Sequence, residues 1–321
     1  MKTKTMRRVL GTATAVGASV ALVGSGLAGA APSSELSSDS GGSSGSGGLS
    51  ASVASADANG PLTFSFWDNC DTAATTAWGG PAGTIAFGTC IEDVVRSGTM
   101  QIGGFTVPIP DGSLRISGGA KPVLNEQGFP TTDAEFIPAP GTKYGVFYRS
   151  LPVPGGAIGT SSAENFGLTS VQATVDPVGM PDVTPDGNSL LSLSIDLPVR
   201  IKLSNPLLGD NCYLGSEDDP ITLRIRTTDT SQQEWTSVAD KYPDAPAGIP
   251  GGYIGNTIGG DNQFAVPGAT GCGLFGSLNG LVNARAQAPS PSGNNSLTVS
   301  HDVYTAAPKD VAAWKGTTLE P

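Results

Sequence analysis

Histidine is almost absent from this sequence: His301 is the only one. Any Ser-His-Asp or Cys-His mechanism would have to run through it, and its neighbour Asp302 would face the other way on a strand and could not easily orient it. No G-x-S-x-G elbow lies in the region with strand patterning, and there is no Walker-type loop or G-x-G-x-x-G between strand and helix. The four cysteines include no C-x-x-C pair, which with one histidine argues against zinc. Basic residues are scarce, 17 Lys and Arg against 28 Asp and Glu, and they form no cluster. That excludes the electrostatic footprint of a nucleic-acid binder and disfavours attraction to anionic membranes. After the first 30 residues no apolar run is long enough for a transmembrane helix. Charge is low overall, at 14%, too little for a chain held open by self-repulsion.

The N-terminus reads as an export signal. Lys2, Lys4, Arg7 and Arg8 precede a weakly apolar run from Val9 to Leu27 and an Ala28-Gly29-Ala30 cleavage signature, which predicts a mature chain from Ala31. Arg7-Arg8 leaves a twin-arginine route open beside the general one. Cleavage would remove four basic residues and no acid, taking the formal charge from −11 to −15. Residues 31–60 are rich in Ser, Gly and Ala, with Gly41 to Gly48 made of Gly and Ser alone, and are expected to be a disordered linker. Residues 61–321 are then one mainly β secreted domain, with a division into two halves near 155–190 as the other organisation.

The strongest pattern runs from Leu191 to Leu203. Every odd position is apolar and every even position is polar or proline. A period of two over that length predicts a long strand with one dry and one wet face, and Pro198 predicts a bend, bulge or edge at its middle. Ile221 to Thr227 repeats the pattern, with Arg224 and Arg226 on the wet face. Opposed to Arg200 and Lys202 these would repel; a staggered register, separated strands or nearby acids such as Asp196 and Asp229 would remove the conflict. Leu62–Phe66, Thr84–Gly88, Cys90–Arg96, Thr99–Val107, Phe166–Val175 and Ser296–Thr305 are further strand candidates, with a tight hairpin at Ser97-Gly98. Residues 125–140 and 229–260 read as loops. Leu274, Phe275, Leu278, Leu281 and Val282 fall on one helical face, which predicts a packed helix near 273–286; Pro308–Lys315 is a short closing helix. With 45 Gly and 25 Pro, the whole reads as a disulfide-stapled β-sandwich or a barrel-like relative of it.

In an exported chain four cysteines read as two disulfides, with three connectivities allowed. The pairing of sequence neighbours, Cys70–Cys90 and Cys212–Cys272, is the preferred one. Paired carboxylates among Glu92, Asp93, Glu126, Glu135 and Asp196 keep glycoside hydrolysis in play, although sequence cannot pair them. Acidic loops at Asp182/Asp186/Asn188, Glu217/Asp218/Asp219 and Asp261/Asn262 leave calcium open without matching an EF-hand loop. Trp78 and Trp235, in polar contexts, are the candidates for a glycan platform.

The stretch Asn205 to Ser216, with its Asn-Cys-Tyr-Leu-Gly-Ser core, resembles a motif of exported actinobacterial proteins that have no established activity. Pro220-Ile221-Thr222-Leu223 and the Phe264–Gly273 segment, Phe-Ala-Val-Pro-Gly-Ala-Thr-Gly-Cys-Gly, extend the resemblance over roughly 190–305. It implies that Cys212 and Cys272 are partners and transfers no catalytic residue. The function expected is a secreted or cell-envelope binding, assembly or structural module without a catalytic site, with an envelope component or glycan as partner. An envelope pore of the β-barrel class is the alternative, and a carbohydrate binder or carboxylate-dependent glycosidase a weaker one.

Overall fold

A computed structural model describes residues 60–157, 168–185 and 193–321 of the chain. The leader and nearly all of the Ser/Gly linker, together with Asp186, Asn188 and Leu191, lie outside the described residues. The described part is mainly β and carries the disulfides Cys70–Cys90 and Cys212–Cys272. Its strands in chain order are β1 (Ala77–Gly79), β2 (Ile85–Phe87), β3 (Thr89–Ile102), β4 (Phe105–Ile109), β5 (Leu114–Leu124), β6 (Pro130–Pro138), β7 (Val146–Tyr148), β8 (Leu151–Pro152) and β9 (Gln172–Pro177). They continue as β10 (Asp182–Pro185), β11 (Leu193–Ser204), β12 (Tyr213–Leu214), β13 (Ile221–Asp229), β14 (Glu234–Ser237), β15 (Gly252–Asp261), β16 (Ala269–Thr270) and β17 (Ser296–Ala306). The α-helices are short: α1 (Thr72–Thr75), α2 (Val238–Lys241), α3 (Asn279–Ala286) and α4 (Pro308–Trp314).

β1 and β2 form a small hairpin sheet, and every other strand joins one antiparallel sheet. Its main path is β16-β12-β11-β13-β15-β17-β3-β5-β6, with β4 beside β3 and β8-β9 beside β11. The sheet curls into a half-barrel, the barrel-like form of the expected class. β4 pairs only with β3, and β8 only with β9. The curl is therefore left open between these two edges among the described residues.

β11 behaves as its alternation predicts. Ile195, Leu197, Val199, Ile201 and Leu203 are all buried on the concave side. On the other face Asp196 stands opposite Arg224 and forms ion pairs with Arg226 at 2.7 Å and Arg224 at 3.7 Å. Arg200 pairs with Asp176 of β9 at 2.7 Å and with Glu217 at 3.1 Å, so the cations are separated by acids. Pro198 marks the point where β11 changes partner, from β10 (ending at Asp196↔Asp182) to β9 (starting at Val199↔Pro177). Lacking an N–H, it leaves only its carbonyl, which accepts from Val178 N at 2.9 Å.

The concave core is continuous from Ile91, Val95 and Met100 through Leu297 and Val299 to Leu223 and Ile225. A second core covers the convex side of β3, β15 and β17. It is aromatic: Phe64 stacks on Tyr304 with centroids 4.1 Å apart, and Trp67, fully buried, donates from Nε1 to Pro250 O at 3.0 Å. Residues 62–66 run as coil rather than as the expected strand and supply this cover, with α4 closing it through Val311. Burial on both faces explains the unbroken buried run Cys90–Val95.

Several expectations are corrected. Ser97-Gly98 is no hairpin: β3 runs through it, with a register shift that leaves Arg96 unpaired against β17. The turn comes at Gly103-Gly104. Residues 125–140, expected as loop, hold the outer strand β6, and 229–260 hold β14, α2 and most of the central strand β15. The helix of 273–286 begins only at Asn279. Before it, Phe275 has φ 54° and is 99% exposed, and Leu274 is 76% exposed, so of the apolar stripe only Leu278 and Val282 pack inward.

β15 is glycine-rich because it is squeezed. A Cβ on Gly259 would sit 2.9 Å from Ile225 Cγ2 and 3.3 Å from His301 Nε2. Gly259→Ala is therefore expected to cost about 1–3 kcal/mol through overpacking, read from urea unfolding midpoints. An unchanged midpoint would mean that the strand has slack here.

Candidate functional site

The residues offered by sequence as chemistry do not converge. Glu92 and Asp93 are neighbours on β3 and so face opposite sides of the sheet. Glu92 points into the convex core, where its Oε2 accepts from Ser65 N at 2.9 Å and its Oε1 from the Ser65 hydroxyl. Burial pushes its pKa up; the Ser65 hydrogen bonds and the Arg115 charge pull the other way without cancelling it. Glu126 lies in the β5–β6 turn, Glu135 on β6 and Asp196 in the ion pairs of β11. Trp78 sits in the small β1–β2 sheet and Trp235, 47% exposed, on β14 of the large one, so they do not form a shared platform. Glu217 binds Arg200, and Asp261 accepts from Arg224 N and Gln263 N, each at 2.7 Å. Among the described residues no three His, Cys, Asp or Glu side chains are grouped to hold a metal.

His301 has a partner that local sequence does not reveal. Its Nδ1 lies 2.7 Å from Asp93 Oδ2, two strands meeting across 208 residues of chain. Asp302 points to the convex side, as alternation requires, and binds Arg96 Nε at 2.8 Å and Asn256 N at 3.1 Å. The His301 and Asp93 side chains are 4% and 6% exposed. Burial alone would lower the imidazole pKa, but the charge and hydrogen bond of Asp93, with Asp302 beyond, outweigh it and hold the value above 6.5. Nε2 makes no hydrogen bond and faces Gly259. An acid–histidine pair sealed in this way has no room beside it for a substrate.

An apolar space lies elsewhere, inside the curl. A cavity runs between β3, β4, β9, β11, β13 and β17. Its deep wall is Leu197, Leu223, Ile225, Leu297 and Val299, all buried. Toward the open side the wall is the partly exposed Ile109, Leu114, Arg149, Leu151 and Val175. Its volume is about 70 Å³. The cavity is thus a small slot in an otherwise packed interior. A second hollow adjoins it beyond Phe105 and Leu203, under Val282 and Ala286 of α3.

Set against protein-family models, curated proteins and solved structures, the chain has no match in any of the three. The cavity must be read on its own chemistry.

That chemistry is almost wholly hydrocarbon. Ser113, Arg149 and Thr174 are the polar residues on the wall among those described. The Ser113 hydroxyl already donates to Pro110 O, and the Thr174 hydroxyl is 2.7 Å from that of Ser150. Only the β11 and β13 part of this lining was legible in sequence; the rest comes from strands scattered between positions 95 and 299. The alternation of β11 and β13 pointed to a dry face, but a dry face does not say whether it is filled or hollow.

Proposed function

We propose that this chain is an exported, non-catalytic binding protein of the cell envelope or extracellular space, and that it holds a small apolar molecule in the slot inside its curled sheet. The observation that carries the reading is the slot itself: a small apolar space whose described wall residues are hydrocarbon apart from Arg149 and the already hydrogen-bonded hydroxyls of Ser113 and Thr174. The basic leader with Ala28-Gly29-Ala30 and the two disulfides support the compartment. The resemblance of the Asn205–Ser216 motif to exported actinobacterial proteins points the same way. A pore of the outer-membrane class would carry its polar residues toward the lumen; here the concave face is the apolar one.

Methyl NMR of the mature protein under stepped xenon pressure tests this. Saturable shifts at Leu197, Ile225 and Val299 are expected, with a rise in melting temperature as the dissolved xenon passes its Kd. Val175→Phe, which fills the outer part of the slot, should abolish both. Shifts confined to the exposed Leu274–Phe275 loop, or no saturation, would overturn the reading.

A further inference from the structure

We infer that the fold carries out one chemical step on itself: the Thr257 hydroxyl attacks the side-chain amide of Gln233, with His301 as base, and leaves an ester bond between the β13–β14 turn and β15. This is a single self-directed event and not turnover, and it is independent of what the slot binds.

The parts meet on one face of the sheet. Thr257 of β15 stands directly opposite His301 of β17, so the two side chains share that face, with Cβ atoms about 4.5–5.5 Å apart. Asp93 holds His301 Nδ1 at 2.7 Å, which fixes the neutral ring in the tautomer whose lone pair is on Nε2. Nε2 lies over Gly259, two residues along β15 from Thr257 and on the same face, and it has no hydrogen-bond partner. Thr257 is 1% exposed. Its Oγ1 accepts from Gln233 Nε2 at 3.0 Å, and among the described residues its own proton has no acceptor. A buried lone pair without a donor therefore faces the strand that carries a buried hydroxyl without an acceptor. Left unmatched, such groups are costly in a structural role; as base and nucleophile they are complementary. Their mutual hydrogen bond is the one contact not made at rest, and contacts of this kind tighten along the reaction.

The electrophile is already in place. Gln233 is held by its own backbone, N donating to Thr230 O at 3.2 Å. Its carbonyl carbon is one bond beyond Nε2, which puts it within about 4.3 Å of Thr257 Oγ1. In the step, the Thr257 proton passes to His301 Nε2 as Oγ1 bonds to Gln233 Cδ. Collapse of the tetrahedral intermediate breaks the bond from Cδ to Nε2 of Gln233, and the proton on His301 goes to the departing nitrogen, which leaves as ammonia. Nothing is oxidised or reduced and no co-reactant is consumed. The burial that leaves no room for an external substrate also keeps water from hydrolysing the ester once formed.

Mass spectrometry of the mature, disulfide-bonded protein tests this. The wild type is expected about 17 Da, one ammonia, below the mass of its disulfide-bonded sequence. After reduction and trypsin, fragments 227–241 and 242–285 should stay joined, and mild alkali should separate them. Thr257→Val, close in shape, and Gln233→Met should each show the full sequence mass and separate fragments. His301→Gln should link about a hundredfold or more slowly after refolding, the range for loss of a general base. Thr227→Val removes the other buried hydroxyl beside Gly259 and should link as wild type does. A wild type at the full sequence mass, with the two fragments separate, would overturn the inference. Linkage that survives in Thr257→Val would overturn the choice of nucleophile, and linkage at the wild-type rate in His301→Gln the choice of base.

Discussion

Replacing Asp93 by Ala should lower the free energy of unfolding by about 3–5 kcal/mol, because it leaves the buried imidazole of His301 without its counter-charge. Urea unfolding at pH 6 is the measurement. The loss is not the worth of the pair, and the double replacement Asp93→Leu with His301→Leu separates the two. With both polar groups gone, the site should recover much of the stability that the single change removes. A single variant as stable as wild type would show that His301 is neutral and satisfied, contrary to the geometry. The pair also predicts a pH dependence. The folded pKa of His301 lies above its ordinary 6.5, so the stability it contributes is fully present below about pH 6.5 and is lost as pH rises through the folded value. Glu92 acts with the same sign from a lower starting point: its raised pKa favours the fold below about pH 4.5 and the benefit fades as pH rises through the folded value. In the double variant the upper part of the slope should vanish and the lower part persist.

Removal of the Cys212–Cys272 disulfide by a double change to Ser should cost about 4 kcal/mol on the chain-entropy estimate for its 60-residue separation, against about 3 for Cys70–Cys90 with 20. The longer bridge holds more than a loop. Cys212 O accepts from Leu203 N of β11 at 2.8 Å, and Cys272 N donates to Asn279 Oδ1 at 2.8 Å at the start of α3. Breaking the bridge therefore loosens α3 from the end of β11, next to the hollow beneath Val282 and Ala286. The expected result is a lower melting temperature with early proteolytic cleavage between 271 and 286. Identical melting and cleavage in the double-Ser protein would mean that the β12–β16 pairing and the Asn279 contact suffice without it.

The parts of this fold that sequence discloses are those where one face is dry and the other wet. β11 and β13 could be read directly, and Asp196, which pairs with Arg224 and Arg226, was one of several resolutions that sequence left open for their conflict with Arg200 and Lys202. The parts that misled are those where glycine or proline serves packing instead of turning. Gly98 looked like a hairpin signal, yet a Cβ there would lie 2.3 Å from Thr298 O, so glycine is needed for close approach of β17. β15 was hidden for the same reason. β6 has Pro130 and Pro138 at its ends and stands at an edge of the sheet, where a missing donor is tolerated. At Leu274 and Phe275 the helical spacing was real but the backbone was not helical, since Phe275 occupies a left-handed conformation. As for buried chemistry, Asp93 and His301 lie 208 positions apart, a pairing with no local signature.

The two lips of the sheet each carry a proline: Pro108 in β4, exposed, and Pro152 in β8, exposed. A residue without an N–H cannot complete a ladder, so these edges are poor partners for one another and for a strand from any other molecule. What looks like an unfinished cylinder is thereby protected twice, from zipping shut over its own interior and from recruiting a neighbour. The opening is written into the chain as two missing hydrogens.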